Sequence, residues 1–203
     1  MQLTLVRHGA TRWNAERRFQ GSADVPLNAE GLAQAAALAR RLAQEQPDRI
    51  YSSDLQRALK TAELIAAPHG LRVNADARLR EFAFGSWEGL TWPEILALTP
   101  GLGANAWRDP SRYEPPGGER FEDVCARIAS FYNDLARAGV GRAIVVTHAG
   151  VLHATLRVLQ LMRGDTMGGA DVDLHFRPAG ITRVAIERGA GRLATLDDVQ
   201  HLQ

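Results

Sequence analysis

Short apolar runs alternate with longer stretches of helical period along most of this chain, and three of the runs end alike. Leu3-Thr4-Leu5-Val6 leads into Arg7-His8-Gly9, Arg49-Ile50-Tyr51 leads into Ser52-Ser53-Asp54 with Arg57 just beyond, and Ala143-Ile144-Val145-Val146-Thr147 leads into His148-Ala149-Gly150. Each is a strand pattern running into a charged residue and a helix start. The alternation predicts an α/β fold: three layers, α/β/α, with a mostly parallel central sheet and helices on both faces. In such sheets ligands bind outside the carboxyl ends of the strands, where helix N-termini also offer free backbone N–H groups. Two arginines and two histidines delivered there from distant segments suit a dianion such as a phosphate group.

The remaining pattern fills in the frame. A helix is predicted over 28–44, capped by Asn28, with Leu32, Ala35, Ala39 and Leu42 inward. Another follows the second strand, capped by Ser53 or Asp54, with Leu55, Ala58, Leu59, Ala62 and Ile65 inward. Arg57 falls on its opposite stripe, near an N-terminus that favours an anion. A strand is expected at 71–73. Residues 99–118 are rich in Pro and Gly without sustained period, which marks a long loop or cap. A helix over 119–137 precedes the strand 143–147, and a buried helix over 151–162 follows it. Segments 171–176 and 181–186 are read as closing strands, at least one antiparallel at the edge. With no repeats or linkers, residues 1–203 are read as one domain with its cap at 99–118.

Composition narrows the function classes. The 203 residues are 45% hydrophobic, enough for one sizeable core, and 24 basic against 23 acidic residues leave a formal charge of +1. That balance offers no broad footprint for nucleic acid or an anionic membrane, so the positive charge that matters is local. No run is long enough to span a bilayer, Arg7 interrupts any leader-like N-terminal pattern, and a single cysteine, Cys125, excludes an intrachain disulfide. The expectation is a soluble, cytoplasmic protein in which Cys125 is a small buried hydrophobe. His69 and His175 lack metal-ligand spacing, His153 is read as solvent-facing, and His201 lies in a tail open to disorder.

Four blocks in order carry a resemblance. They are Leu5-Val6-Arg7-His8-Gly9-Ala10-Thr11-Arg12-Trp13-Asn14 with Gln20-Gly21, Asp24, Pro26-Leu27, Gly31 and Gln34-Ala35; Tyr51-Ser52-Ser53-Asp54-Leu55-Gln56-Arg57-Ala58 with Thr61-Ala62; Leu79-Arg80-Glu81 with Gly85-Ser86-Trp87-Glu88-Gly89; and Val146-Thr147-His148-Ala149-Gly150-Val151. Together they resemble the histidine phosphatase superfamily, which includes the cofactor-dependent phosphoglycerate mutases, and the general run of the chain looks like its α-ribazole phosphatase branch. Ala10, Thr147 and Ala149 stand where that family more usually has Glu, Ser and Gly. None of these departures removes a charge from the expected pocket.

The residue types support the chemistry. A neutral imidazole is not repelled by a phosphate dianion, which makes His8 the candidate nucleophile, and attack by it splits one displacement into two through a phosphohistidine. Arg7 and Arg57, planar and always charged, suit the equatorial oxygens of the transferring group. Four such cationic or donor groups, with no paired acidic ligands, make a metal ion unnecessary, and no cofactor is expected. The resemblance implies that His148, protonated, also binds a phosphate oxygen, and that Glu81 is the acid serving the leaving group and later the attacking water. Glu88 is the rival acid, expected in a turn facing solvent or an arginine. Thr11, Asn14, Gln20, Gly21 and Ala149 complete the substrate-binding set that the resemblance implies. Arg12, Arg17 and Arg18 form either an extension of the pocket or a solvated face. Trp87, Trp92 and Trp107 line a cap or pack beneath it, and Gly117-Gly118-Glu119 opens the long helix as a cap or approaches the ligand.

The expected activity is metal-independent hydrolysis of a small phosphorylated metabolite, with no nucleic-acid or membrane partner; a homodimer is compatible. The alternatives are a phosphoglycerate mutase, which needs a more substantial lid than 99–118 provides, and a non-catalytic phosphate-ligand sensor, which needs neither His8 nor Glu81.

Overall fold

The computed structural model describes residues 1–103, 114–161, 175–187 and 190–203, the side chain of Ala190 aside. The strands are β1 (Gln2–Arg7), β2 (Arg49–Ser52), β3 (Val73–Ala75), β4 (Arg142–Thr147), β5 (Ile181–Glu187) and β6 (Ala190–Asp198). The helices are α1 (Arg12–Ala15), α2 (Ala29–Leu42), α3 (Gln56–Ala66), α4 (Trp92–Leu98), α5 (Phe121–Arg137) and α6 (Ala149–Val158). One six-stranded sheet runs in the order β3-β2-β4-β1-β5-β6. Its β3, β2, β4 and β1 are parallel, and β5 and β6 close one edge antiparallel.

The unbroken apolar runs of β1 and β4 reflect burial on both faces of a parallel sheet. Leu3, Leu5, Ala143 and Val145 pack with Ile128, Phe131, Val151 and Leu156 of α5 and α6. Val6, Ile144 and Val146 pack with Leu38, Leu42, Ala58 and Ile65 of α2 and α3. Because β1 continues into α2 on one face and its neighbour β4 continues into α6 on the other, the chain order reverses between these strands. The crevice this leaves lies at their carboxyl ends. There Arg7 pairs with Thr147 and Ser52 with Val146, so all three strand ends finish level.

Several helix faces differ from the periodic pattern. In α2, Gly31, Ala35, Leu38 and Leu42 are buried while Leu32 is 43% exposed. The backbone of Gly31 lies directly against Ala10, with no room for a Cβ, and this close approach sets the helix rotation. Asn28 caps α2 as expected, accepting from Gly31 N at 2.8 Å. In α3 the buried stripe is Arg57, Ala58, Thr61, Ala62, Ile65 and Ala66, so Arg57 faces inward and Leu59 is half-buried. Neither Ser53 nor Asp54 caps α3. Its N-cap residue is Leu55, Asp54 pairs with Arg80, and the carboxylate of Asp24 from the loop before α2 accepts from Gln56 N at 2.7 Å.

At the C-terminal end, β6 is a strand the pattern did not reveal, and β5 with β6 forms the closing pair. The expected strand at 171–176 falls outside the described residues over 171–174, and His175 and Phe176 are not in a strand. His201 lies partly buried in a single 3₁₀ turn, Gln200–Leu202, and Leu202 packs on the α2/α3 cluster, so this tail is ordered. His153 turns its ring edge-on to Phe176, at 5.1 Å, rather than facing solvent. Cys125 is half-buried against the α5/α6 core. Trp87 is buried in that core, and Trp92 stacks on Phe19 at 5.8 Å. Trp107 lies outside the described residues, as does the middle of the 99–118 segment. Among the described residues no helix is long and apolar enough to cross a membrane.

Candidate active site

His8 leaves β1 into a wholly protein-lined setting and is 2% exposed. Its backbone is fixed twice, donating to Thr147 O at 3.0 Å and accepting from Ala179 N at 3.1 Å. Its Nδ1 lies 2.7 Å from the Gly9 carbonyl, an acceptor only, so Nδ1 carries the proton and the Nε2 lone pair is free. Fully buried His148 stands edge-on to it, with ring centroids 5.0 Å apart. Nδ1 of His148 accepts from Arg57 Nε at 3.3 Å, which makes its Nε2 the protonated nitrogen. That Nε2 is buried without a protein partner. It is a donor aimed at something other than the protein.

Burial and the nearby Arg57 and Arg7 guanidinium groups hold His8 well below the usual imidazole range. The same causes, burial first, lower His148. With protein groups alone around it, His148 is therefore neutral rather than protonated. A bound dianion supplies the opposite charge and shifts the balance back towards imidazolium.

Arg57, fully buried, donates to Gly21 O and Ala23 O, each at 2.7 Å. With Nε on His148, two guanidinium N–H groups remain. Arg7 donates from Nη1 to Phe176 O, and its Nε is buried without a partner. Among the described residues no carboxylate forms an ion pair with either arginine. Burial consequently pulls Arg57 down to about 10, offset in part by the more distant Glu81 and Asp24, and lowers Arg7 as well. This pocket concentrates positive charge that no direct ion pair among the described residues neutralises and that nearby carboxylates offset only in part.

Glu81 reaches the same crevice from the loop after β3. Its carboxylate accepts from Phe82 N at 2.9 Å and Gly150 N at 3.3 Å, which ties it to the start of α6. A Cβ at position 150 would come within 2.6 Å of Glu81 Oε1, so only glycine lets the two approach. Behind Glu81, Arg127 of α5 grips the loop, donating to the carbonyls of Arg78, Arg80 (2.8 Å) and Glu81 (3.2 Å). Glu119 pairs with Arg127 at 2.9 Å and accepts from Ala83 N at 2.9 Å. Thr147 Oγ1 adds a bond to Leu79 O at 2.8 Å. Residues 79–83 are thus held from both sides.

The other expected site residues separate into groups. Gln20 is buried with Oε1 unpartnered, and Ala149 opens α6, where the first N–H groups lack intrahelical acceptors. Gly21 has φ +53°, and a side chain there would collide with the Glu88 carboxylate. Thr11 is committed to α1: its Oγ1 accepts from Asn14 N at 3.2 Å, and Asn14 Oδ1 accepts from Thr11 N at 3.0 Å. Of Asn14 only the amide Nδ2 is left for a ligand. Glu88, partly exposed, pairs with no arginine among the described residues and accepts from Ser22 N and Oγ, each at 2.8 Å, and from Phe84 N. It braces the Gln20–Asp24 loop. Arg18 bridges Glu16, Glu94 and Gly89 O, Arg12 pairs with Glu16 on the surface, and Arg17 is exposed, which favours the solvated face over an extension of the pocket. Glu119 turns from the expected cap or ligand contact to Arg127. Arg127 carried no local signal, and Asp24 stood in the first resembling block without a role, because their partners lie on other elements.

Fold and pocket together define a three-layer α/β protein with a buried, cationic, two-histidine crevice at the ends of parallel strands. The chain matches the Histidine phosphatase superfamily (branch 1) over residues 3–199, and it belongs to that superfamily. It is 39% identical over 200 residues to a glucosyl-3-phosphoglycerate phosphatase of Mycolicibacterium vanbaalenii, covering 93% of this chain and 88% of the relative. It is also 39% identical over 185 residues to a metal-independent phosphoserine phosphatase of Arabidopsis thaliana, covering 87% and 76%. A solved mycobacterial glucosyl-3-phosphoglycerate phosphatase complexed with VO3 superposes with a TM-score of 0.86 at 32% identity, covering 98% of this chain and 99% of that one. None of these three is named for α-ribazole, the branch that the general run of the chain resembled.

Proposed function

We propose that residues 1–203 form a single catalytic domain that hydrolyses phosphate monoesters of small metabolites, without a metal ion, through a phosphohistidine at His8. The observation that carries this is the bond from His8 Nδ1 to Gly9 O. It fixes the tautomer whose Nε2 lone pair is available, in a pocket where Arg7, Arg57 and His148 converge.

In the first step His8 Nε2 bonds to phosphorus as the ester P–O bond breaks. Arg7, Arg57 and the Nε2 proton of His148 stabilise the equatorial oxygens. Glu81, as general acid, gives a proton to the leaving alkoxide. In the second step a water attacks phosphorus, Glu81 takes its proton, and the N–P bond breaks to release inorganic phosphate. The buried arginines supply charge stabilisation that a cation provides elsewhere. The relatives are named for phosphoserine and a glycosylated phosphoglycerate, which supports a small organic-acid phosphate as substrate. The single cysteine fits a reducing cytoplasm.

Phosphate-labelled phosphoserine or 3-phosphoglycerate mixed with enzyme and quenched in alkali should leave acid-labile, alkali-stable label on the wild-type protein. His8→Ala should carry none and turn over below about 10⁻⁴ of wild type. Label persisting in His8→Ala would overturn the nucleophile, and loss of activity in EDTA restored only by a divalent ion would overturn metal independence. Interconversion of 2- and 3-phosphoglycerate outrunning phosphate release would replace the hydrolase by a mutase.

A further inference from the structure

At the end of the sheet opposite the histidines, a cavity of about 390 Å³ opens between the amino ends of the strands and the segment that follows α2. The register explains its character. Arg142 pairs with Gln2, Gln2 with Ala185 and Ala185 with Arg192, so these four residues form one row across β4, β1, β5 and β6. Paired residues in a sheet point to the same face. The next same-facing row holds Thr4, Ile144 and Arg183. Further along this face the side chains are apolar and lie under α2 and α3. Because α2 ends at Leu42 and the chain turns away to β2, the arginine rows are left uncovered.

Three arginines, Arg142, Arg183 and Arg192, lie near three carboxylates, Glu45, Asp48 and Asp198, but of these arginines only Arg183 is ion-paired among the described residues. Arg183 is satisfied by Glu45 at 2.7 Å, which also accepts from Thr4 Oγ1. Asp198 lies 3.9 Å from Arg183, and the Asp48 carboxylate is occupied by the backbone N–H groups of Gly141 and Arg142. The guanidinium groups of Arg142 and Arg192 have no hydrogen-bond or ion-pair partner among the described residues. Three strand spacings separate their Cα atoms by about 14 Å, with only the methyl group of Ala185 and the amide of Gln2 between them. Both arginines line the cavity on either side of that floor, and two forked donors so placed suit two anionic groups carried by one compact molecule.

We propose that this cavity is a second anion-binding site, separate from the catalytic pocket, for a small polyanion bearing two phosphate or carboxylate groups. The inference stands independently of the catalytic reading. Inorganic pyrophosphate also suits the catalytic pocket, so the test must resolve the two ends of the sheet. Amide resonances of ¹⁵N-labelled protein should be followed during titration with pyrophosphate and, separately, with citrate. The amides of Gln2, Ala185 and Arg192 should shift saturably with at least one probe, and which probe does so tells phosphate from carboxylate recognition. In Arg142→Gln/Arg192→Gln the same shifts should need at least tenfold more probe. Shifts at Gly9 and Ala149, and kcat/KM with p-nitrophenyl phosphate, should stay as in wild type. If neither probe produces saturable shifts at this end, or if the double variant titrates like wild type, the site does not exist.

Discussion

Arg57 and Arg78 both use most of their guanidinium donors inside the protein, and they end in opposite electrostatic states. Arg78 meets the carboxylates of Asp76 and Asp134, at 2.7 and 2.6 Å, and these partners raise it above its usual value. Arg57 meets the neutral carbonyls of Gly21 and Ala23, and burial pulls it down to about 10. One arginine is neutralised and holds structure together. The other is oriented by neutral acceptors and paired with no carboxylate among the described residues. The same division separates Arg7 from Arg127, whose partner is Glu119. In this molecule the nature of an arginine's acceptor, rather than its burial alone, separates binding groups from clamps.

The contrast can be broken most visibly at Glu81, the carboxylate that the clamp presents to the pocket. Glu81→Gln should lower kcat on an alkyl phosphate by ~10²–10⁴, and p-nitrophenyl phosphate should lose less in the burst phase because nitrophenolate leaves unprotonated. Equal burst losses on both esters would remove Glu81 from the acid role. Arg57→Ala, which deletes charge that no ion pair neutralises, should cost ~10²–10³ in kcat/KM with either ester, read by steady-state kinetics. Arg127→Ala acts through position alone. Letting Glu81 drift should lower kcat on the order of tenfold with alkyl esters, with KM and the p-nitrophenyl ester much less affected. Arg78→Ala should leave kcat/KM unchanged and cost about 0.5–1 kcal/mol in denaturant unfolding, as exposed pairs do. A large activity loss there would erase the distinction between clamp and pocket.

The histidines sharpen the same point through pH. Both are depressed in the folded protein, so below the unfolded value of about 6.5 the unfolded chain binds protons that the native state refuses. Their contribution to stability is fully present above that value and falls as pH drops through the window below it. Each should add about 1.4 kcal/mol per pH unit to the slope there. Thermal unfolding from pH 7.5 to 5 should show the effect, and His148→Gln should flatten it. An unchanged slope would mean that the imidazoles are not held neutral.

Much of the site was legible because its residues sit in runs whose chemistry repeats: apolar strand, charge, helix start. Arg7, His8, Arg57 and His148 needed only the rule that parallel strands end at one level, and the four-block resemblance singled out Glu81. The misreadings share another cause. Leu32 and Arg57 were assigned faces by period alone, yet Gly31 against Ala10 and the carbonyls of Gly21 and Ala23 decide which way α2 and α3 turn. Thr11 looked like a ligand group and is a cap, and Glu88 looked like a spare acid and is a brace.

The sequence by itself determined the layered fold and the candidate groups at its strand ends, because side-chain period and residue type are local properties. Only the tertiary structure decided which groups are neutralised and which are left charged. Charge compensation depends on partners such as Asp24 for α3, Glu119 for Arg127 and Gly9 O for His8. Whether such a partner is a carboxylate or a carbonyl is settled by how the elements pack, and that packing turns two buried arginines and two neutral imidazoles into one site.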